Sequence, residues 1–144
     1  MIVIADSSIV FSSLYTPHGV IASILKNKGR IQFIAPDFLF QEAFNHLPEI
    51  VKYTGKTKRQ VIKELNKLTA DIVFCPVDEI PKKHIYKAIE LVKDIDIDDT
   101  FFVALHFYKG HQIWTGDTRL INGLEKKGYN ICITTETLKE SLYK

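Results

Sequence analysis

The sequence predicts an α/β fold built on a mainly parallel sheet of about five short strands. Three observations carry that expectation. Short apolar runs at residues 2–5, 31–35, 72–75, 111–115 and 131–133 alternate with stretches of helical character. The runs are mainly apolar rather than alternately apolar and polar, the pattern of strands covered on both faces. Each is closed by a breaker or a polar residue, among them Asp6, Pro36, Pro76 and Gly116-Asp117. A chain of 144 residues, 46% apolar, fills one ordinary domain, so residues 1–144 are expected to form a single domain without repeat or linker.

The elements follow in order. Residues 2–5 are β-branched and apolar, and Asp6-Ser7-Ser8 leaves the strand with oxygen atoms that can cap a helix. A short helix over 9–14 is followed by the break at Tyr15-Thr16-Pro17-His18-Gly19, then by a helix over 20–28 that Gly29 stops. After the strand ended by Pro36, Asp37 is the expected cap of a helix over 38–51, with Phe40, Ala43, Phe44 and Leu47 on its apolar face and Pro48 as a candidate kink. Residues 57–69 form an amphipathic helix, with Val61, Leu65 and Leu68 on one side and Lys56, Arg59, Lys63 and Lys67 opposite. Pro81 opens a helix whose core face is Ile85, Ala88, Ile89 and Val92.

Residues 94–120 organise the chain. Asp94, Asp96, Asp98 and Asp99 precede an apolar run over 101–108 that Lys109-Gly110 ends as a helix C-terminus should end. The strand at 111–115 and the carboxylate Asp117 come next. Residues 118–127 are helical up to Gly128, and a last helix covers 135–142.

Charge and cysteine usage narrow the class. A net charge of +2 does not by itself mark a nucleic-acid binder. Cys75 and Cys132 have no metal-ligand spacing and lie in apolar runs, as buried, reduced thiols of an intracellular protein do. The N-terminus goes straight into a strand and no segment is apolar enough to span a membrane, so a soluble cytoplasmic domain is expected.

In a parallel α/β sheet ligands bind outside the carboxyl ends of the strands. Asp6 and Asp117 follow two strands, and Glu42 and Asp99 begin helices that start near the same edge. Grouped carboxylates are costly unless a cation lies among them, and Mg2+ or Mn2+ suits such oxygen ligands. Singly, each acid has a plainer reading. Asp6 caps a helix, Asp96 and Asp98 cap the buried helix, Asp99 and Glu42 complement helix dipoles, and Asp117 is a turn residue. The five histidines show no ligand pair. Trp114 and Phe107 read as core, and the basic face at Lys56, Arg59, Lys63 and Lys67 reads either as solvated surface or as an RNA phosphate track. GxGxxG, GxxxxGK[ST] and nucleophile-elbow motifs are missing.

Asp6-Ser7-Ser8 after the first strand, Glu42 in an apolar helix, Asp99 heading DTFFVALHF and Thr115-Gly116-Asp117 after a strand together resemble the PIN-domain nucleases. The resemblance spans essentially the whole chain. It implies a three-layer α/β/α sandwich in which Asp6, Glu42, Asp99 and Asp117 hold Mg2+ or Mn2+ for RNA hydrolysis. Asp96 is a fifth candidate, and Ser7 and Thr115 support the ion or its waters. The implied product ends are a 5′-phosphate and a 3′-hydroxyl. Many relatives are VapC-type toxins paired with a small antitoxin; a homodimer and a non-catalytic PIN-like RNA- or protein-binding module stay open. Arg119 departs from the pattern, since many relatives carry an acid or amide two positions after the last Asp. Its guanidinium would reach a scissile phosphate or pair with one of the four acids.

Overall fold

Strand β1 (Ile2–Ala5) is the middle of a five-stranded, wholly parallel sheet of order β3-β2-β1-β4-β5. The computed structural model describes residues 1–27 and 29–142. Along the chain, β1 is followed by α1 (Ser7–Tyr15), α2 (Val20–Leu25), β2 (Gln32–Pro36), α3 (Phe38–Thr54) and α4 (Lys58–Thr69). Then come β3 (Val73–Cys75), α5 (Lys82–Val92), α6 (Thr100–Lys109), β4 (Ile113–Trp114), α7 (Thr118–Lys126), β5 (Cys132–Ile133) and α8 (Thr135–Leu142). Single 3-10 turns cover Val77–Glu79 and Ile97–Asp99. Strands β3, β4 and β5 are shorter than the runs that contain them, β1 coincides with its run, and β2 is shifted by one residue and takes in Pro36. The predicted end of α2 at Lys28 lies outside the described residues.

The topology sets the working edge. From β1 the chain moves outward to β2 and β3, then crosses back through α5 and α6 to β4 on the other side of β1. The strand order therefore reverses between β1 and β4, which is where an open parallel sheet leaves a crevice for a ligand. The register pairs Ala5 with Trp114, and the Asp6 amide donates to the Trp114 carbonyl at 3.2 Å. The residues following these two strands, Asp6 and Thr115, are thereby held side by side.

Helix α6 is buried nearly all round: Phe102, Val103, Ala104 and Leu105 are each fully excluded from solvent. This explains a sequence run with no polar face. It packs on β1, β2 and β4 and on α5. Helices α1 to α4 form the other packing group. Trp114 is fully buried, with its ring 5.4 Å from that of Phe33 and its indole N–H donating to Thr135 Oγ1 at 3.0 Å. Gly110, at φ 81°, ends α6 in the left-handed conformation expected there. Gly123 has a different reason: a Cβ on it would stand 2.5 Å from Ile95 Cδ1, so α7 lies close against the turn after α5 and a larger residue there would make the Ile95 side chain shift.

Several local expectations change. Pro48 sits inside α3, which runs unbroken from Phe38 to Thr54. Asp37 does not cap α3 with its side chain; Oδ1 accepts instead from the Val77 amide at 3.1 Å, tying β2 to the turn after β3. Asp96 caps the 3-10 turn, accepting from the Asp98 amide at 3.0 Å, rather than α6 itself, and no side chain caps α6. Cys75 and Cys132 are free but only half-buried. Phe107 is likewise half-buried, beneath the Lys87 ammonium at 4.2 Å from its ring, while Trp114 is core as expected. Among the described residues, no helix is long and apolar enough to cross a membrane.

Candidate functional site

Asp6 stands at the carboxyl end of β1, 3% exposed, as the N-cap of α1. Its Oδ1 accepts from the Ser8 amide at 3.0 Å, from the Ile9 amide at 3.4 Å and, in a very short bond, from the Ser8 hydroxyl. The plain capping role is therefore real, and all three bonds fall on one carboxylate oxygen. Asp117 repeats the device at the end of β4. It caps α7, and its Oδ1 accepts from the Arg119 and Leu120 amides at 3.0 and 3.2 Å. In both, capping fixes the carboxylate against a helix N-terminus, where negative charge is favoured.

The hydroxyls knit these two strand ends together. Ser8 Oγ accepts from the Gly116 amide at 3.2 Å and lies 3.4 Å from Thr115 Oγ1. Thr115, 1% exposed, accepts from the Asp117 amide at 3.0 Å. Ser7 Oγ donates to Glu42 Oε1 at 2.9 Å, linking the start of α1 to α3. Ser7 and Thr115, the two candidate supporting groups, thus bond to Glu42 and to the Asp117 amide. Ser8 does as much, and sequence reasoning left it out of the site. The available signal was its place two residues after a strand-end Asp, where a serine meets the capping carboxylate.

Asp99 differs from the other acids. The 3-10 turn at Ile97–Asp99 runs directly into α6, and Thr100 Oγ1 donates back to the Ile97 carbonyl at 2.6 Å. The Asp99 carboxylate is consequently not used as a cap. Its Oδ2 is buried and, among the described residues, without a hydrogen-bond partner. An unpartnered buried carboxylate oxygen is costly, and such an atom in a folded protein calls for a reason.

The electrostatics show which acids face one another. Burial first, then the charges of Asp6, Asp96, Asp117 and Glu42, push the Asp99 carboxyl up to about 8. Burial raises Glu42 to about 7 against the opposing bond from Ser7, with Asp98, Asp6 and Asp96 adding to the rise. Burial alone raises Asp6 to about 6, held down by the Ser8 and Thr115 hydroxyls and the amides. Each carboxylate's charge disfavours ionisation of its neighbours. Asp99 therefore lies within electrostatic reach of Asp6, Asp96, Asp117 and Glu42, and Glu42 within reach of Asp98, Asp6 and Asp96.

The donor set fits a hard divalent cation: carboxylate oxygens backed by hydroxyls, one of them buried and unpartnered. Cys132 feels Asp6 and Asp99 as well, but burial above all pushes its thiol up to about 12, so it stays protonated and offers no soft ligand at neutral pH. Among the described residues no three His, Cys, Asp or Glu side chains form a ready-made metal-ligand group. The acids share a field without converging on one point.

The basic residues stand apart. Arg119 is exposed and lines a cleft with Asp94, Asn122 and Lys126, and its side chain makes no ion pair with the four acids among the described residues. Arg59, Lys63 and Lys67 line a shallow cleft on α4, and Lys56 and Lys67 a second of about 600 Å³. Lys67 is in the last turn of α4, just before β3, and therefore at the amino edge of the sheet, opposite the acids.

Comparison with known proteins agrees with the fold. The model of the PIN domain family matches residues 4–143. The crystal structure of PAE2754 from Pyrobaculum aerophilum superposes with a TM-score of 0.68 at 16% identity, over 99% of this chain and 98% of that one. At that identity the likeness speaks for the fold. No curated protein matches the chain.

Proposed function

The chain belongs to the PIN domain family, and we propose that it is a metal-dependent endoribonuclease in which Asp6, Glu42, Asp99 and Asp117 hold Mg2+ or Mn2+. PIN domains are generally nucleases, hydrolases that act on nucleic acid and use divalent metal. RNA is the substrate, these four residues are the metal-binding acids, and Asp96 is an outer fifth. One observation carries the reading: Asp99, with a buried unpartnered oxygen, is surrounded by the charges of Asp6, Asp96, Asp117 and Glu42.

Once bound, the divalent ion supplies charge against the phosphoryl oxygens and an acidified water for in-line attack, which leaves a 5′-phosphate and a 3′-hydroxyl. The residues' own parts follow from their contacts. Asp6 and Asp117, fixed by their capping bonds, form the rigid wall of the site. Ser7 orients Glu42, and Ser8 and Thr115 keep the two strand ends in register. Burial and the neighbouring charges favour the protonated form of Asp99, and a cation held there would displace that proton, because ligation requires the carboxylate. The basic face of α4 serves as an outlying contact for long RNA, away from the reacting phosphate. A single domain of this kind is consistent with a VapC-type toxin that pairs with a small antitoxin, and with a homodimer.

One observation favours a second reading, a non-catalytic module that binds RNA or a protein: no formed group of three metal ligands among the described residues. A metal assay separates the two. The enzyme cuts single-stranded RNA in Mn2+ or Mg2+, stops on chelation and recovers when the ion is restored. RNA binding without cleavage under any divalent ion would establish the module.

A further inference from the structure

A second cleft opens at the same edge of the sheet as the acids. It has a volume of about 540 Å³ and is lined by Asp37, Phe38, Gln41, Val77, Asp78 and Phe101. Its residues come from the carboxyl end of β2, the first turn of α3, the turn after β3 and the first turn of α6. Phe38 and Phe101 meet edge to face, with ring centroids 4.9 Å apart, and both are half-buried, so ring surface is left to the cleft. Phe38 lies one helical turn before Glu42, Gln41 immediately precedes Glu42, and Phe101 is two residues beyond Asp99. The cleft therefore adjoins the acids through two separate elements.

Its chemistry selects an occupant. Among the described residues no Lys or Arg lines it, and Asp37 and Asp78 are both exposed carboxylates, so a phosphate is repelled. A flat, uncharged π system with N–H donors on its edge is accepted: it stacks on the aromatic pair and donates to the carboxylates and the Gln41 amide oxygen. Single-stranded RNA presents such groups, since its unstacked bases rest on aromatic side chains and are read along their edges. We infer that this cleft seats a nucleobase next to the scissile phosphate and prefers bases with an exocyclic amine, adenine, cytosine and guanine, over uracil. This rests on the nuclease reading above. The preference follows because uracil turns two carbonyl oxygens toward the Asp37 and Asp78 carboxylates, which only accept, and offers them a single N–H donor.

The test separates the cleft from the nuclease. A short single-stranded RNA carrying 2-aminopurine is mixed with Asp6→Asn protein in Mg2+, and stacking is read as quenching of the base fluorescence; cleavage by the parent is read separately on gels. Quenching is expected, with affinity about tenfold weaker in Phe101→Leu on the Asp6→Asn background. In otherwise unaltered protein, Asp78→Asn, a surface change that leaves the fold intact, should narrow the preference for cytosine over uracil at the cleavage site. RNA that binds by anisotropy and is cleaved by the parent, yet shows no quenching or no response to either variant, overturns the base site while the nuclease reading stands. RNA that neither binds nor is cut overturns both.

Discussion

Ser7 Oγ donates to Glu42 Oε1 at 2.9 Å, joining two residues 35 positions apart across the start of α1 and α3. This bond opposes the burial that raises the Glu42 carboxyl and so favours its ionised, cation-binding form. Groups that orient metal ligands typically matter by ~10–100-fold in metal affinity. Ser7→Ala should therefore weaken Mn2+ binding by about tenfold with little loss of fold, and Ser7→Thr should restore most of it. Calorimetric titration decides; equal affinity in Ser7→Ala and parent would leave Glu42 outside the metal site.

Stability in chelator should depend on pH with a defined sign. Asp6, Glu42 and Asp99 are raised to about 6, 7 and 8, so the native state binds more protons than the unfolded chain, whose carboxyls lose theirs near pH 4. Their contribution is fully favourable below pH 4 and is lost as pH rises through these folded values, up to about 8. Denaturant midpoints in EDTA should fall from pH 5 to pH 8.5, and saturating Mg2+ should flatten the fall by binding the ionised acids. A midpoint that rises over this range would contradict the shifts.

Asp99→Asn isolates the largest of these effects. Below about pH 4 Asp99 is protonated in the folded and the unfolded chain alike, so Asn, neutral and nearly isosteric, should change stability little. At pH 9 it removes a charge that Asp6, Asp96, Asp117 and Glu42 oppose, and in EDTA it should stabilise by on the order of 1 kcal/mol. Thermal melts at the two pH values test this, and equal effects at both would place Asp99 outside the cluster's field.

The exposed cations predict contrasting outcomes. Arg119 gives its backbone amide to Asp117, but its side chain lines a separate cleft. Arg119→Asp should thus raise Mn2+ affinity by no more than about threefold, as expected of an exposed charge. For α4, changing Arg59 and Lys63 to Gln should spare binding of RNA a few nucleotides long. Binding of long RNA should weaken, with a salt slope shallower by about 1.4. Weaker binding of the short RNA would bring α4 to the active edge.

The sheet was legible because its strands are short, apolar and punctuated. The candidate acids stood out because they recur at strand ends and helix starts, and Asp6 and Asp117 cap the helices that follow β1 and β4 as their sequence neighbours suggest. Other features depend on contacts that local pattern cannot express. Asp37 was readable as a cap for α3, yet Val77, 40 residues away, takes its carboxylate. Asp96 and Asp98 looked like caps of α6 because nothing in the sequence marks the 3-10 turn between them and the helix. Ser8 gains its role only when β1 and β4 pair and bring Gly116 to its hydroxyl. The apolar flanks of Cys75 and Cys132 suggested full burial, but both lie on the thinly covered outer strands.

The most direct test of the central claim is RNA cleavage by Asp6→Asn at saturating Mn2+, alongside the parent. The substitution keeps the size of the side chain and an oxygen for capping, so the fold should persist by circular dichroism. It removes the charge that the acids offer a cation at the switch point between β1 and β4. The account predicts loss of cleavage by ~100-fold or more, the scale of losing a charged partner in transition-state stabilisation. Cleavage at the parental rate would show that Asp6 is no more than the cap of α1 and that the metal site lies elsewhere.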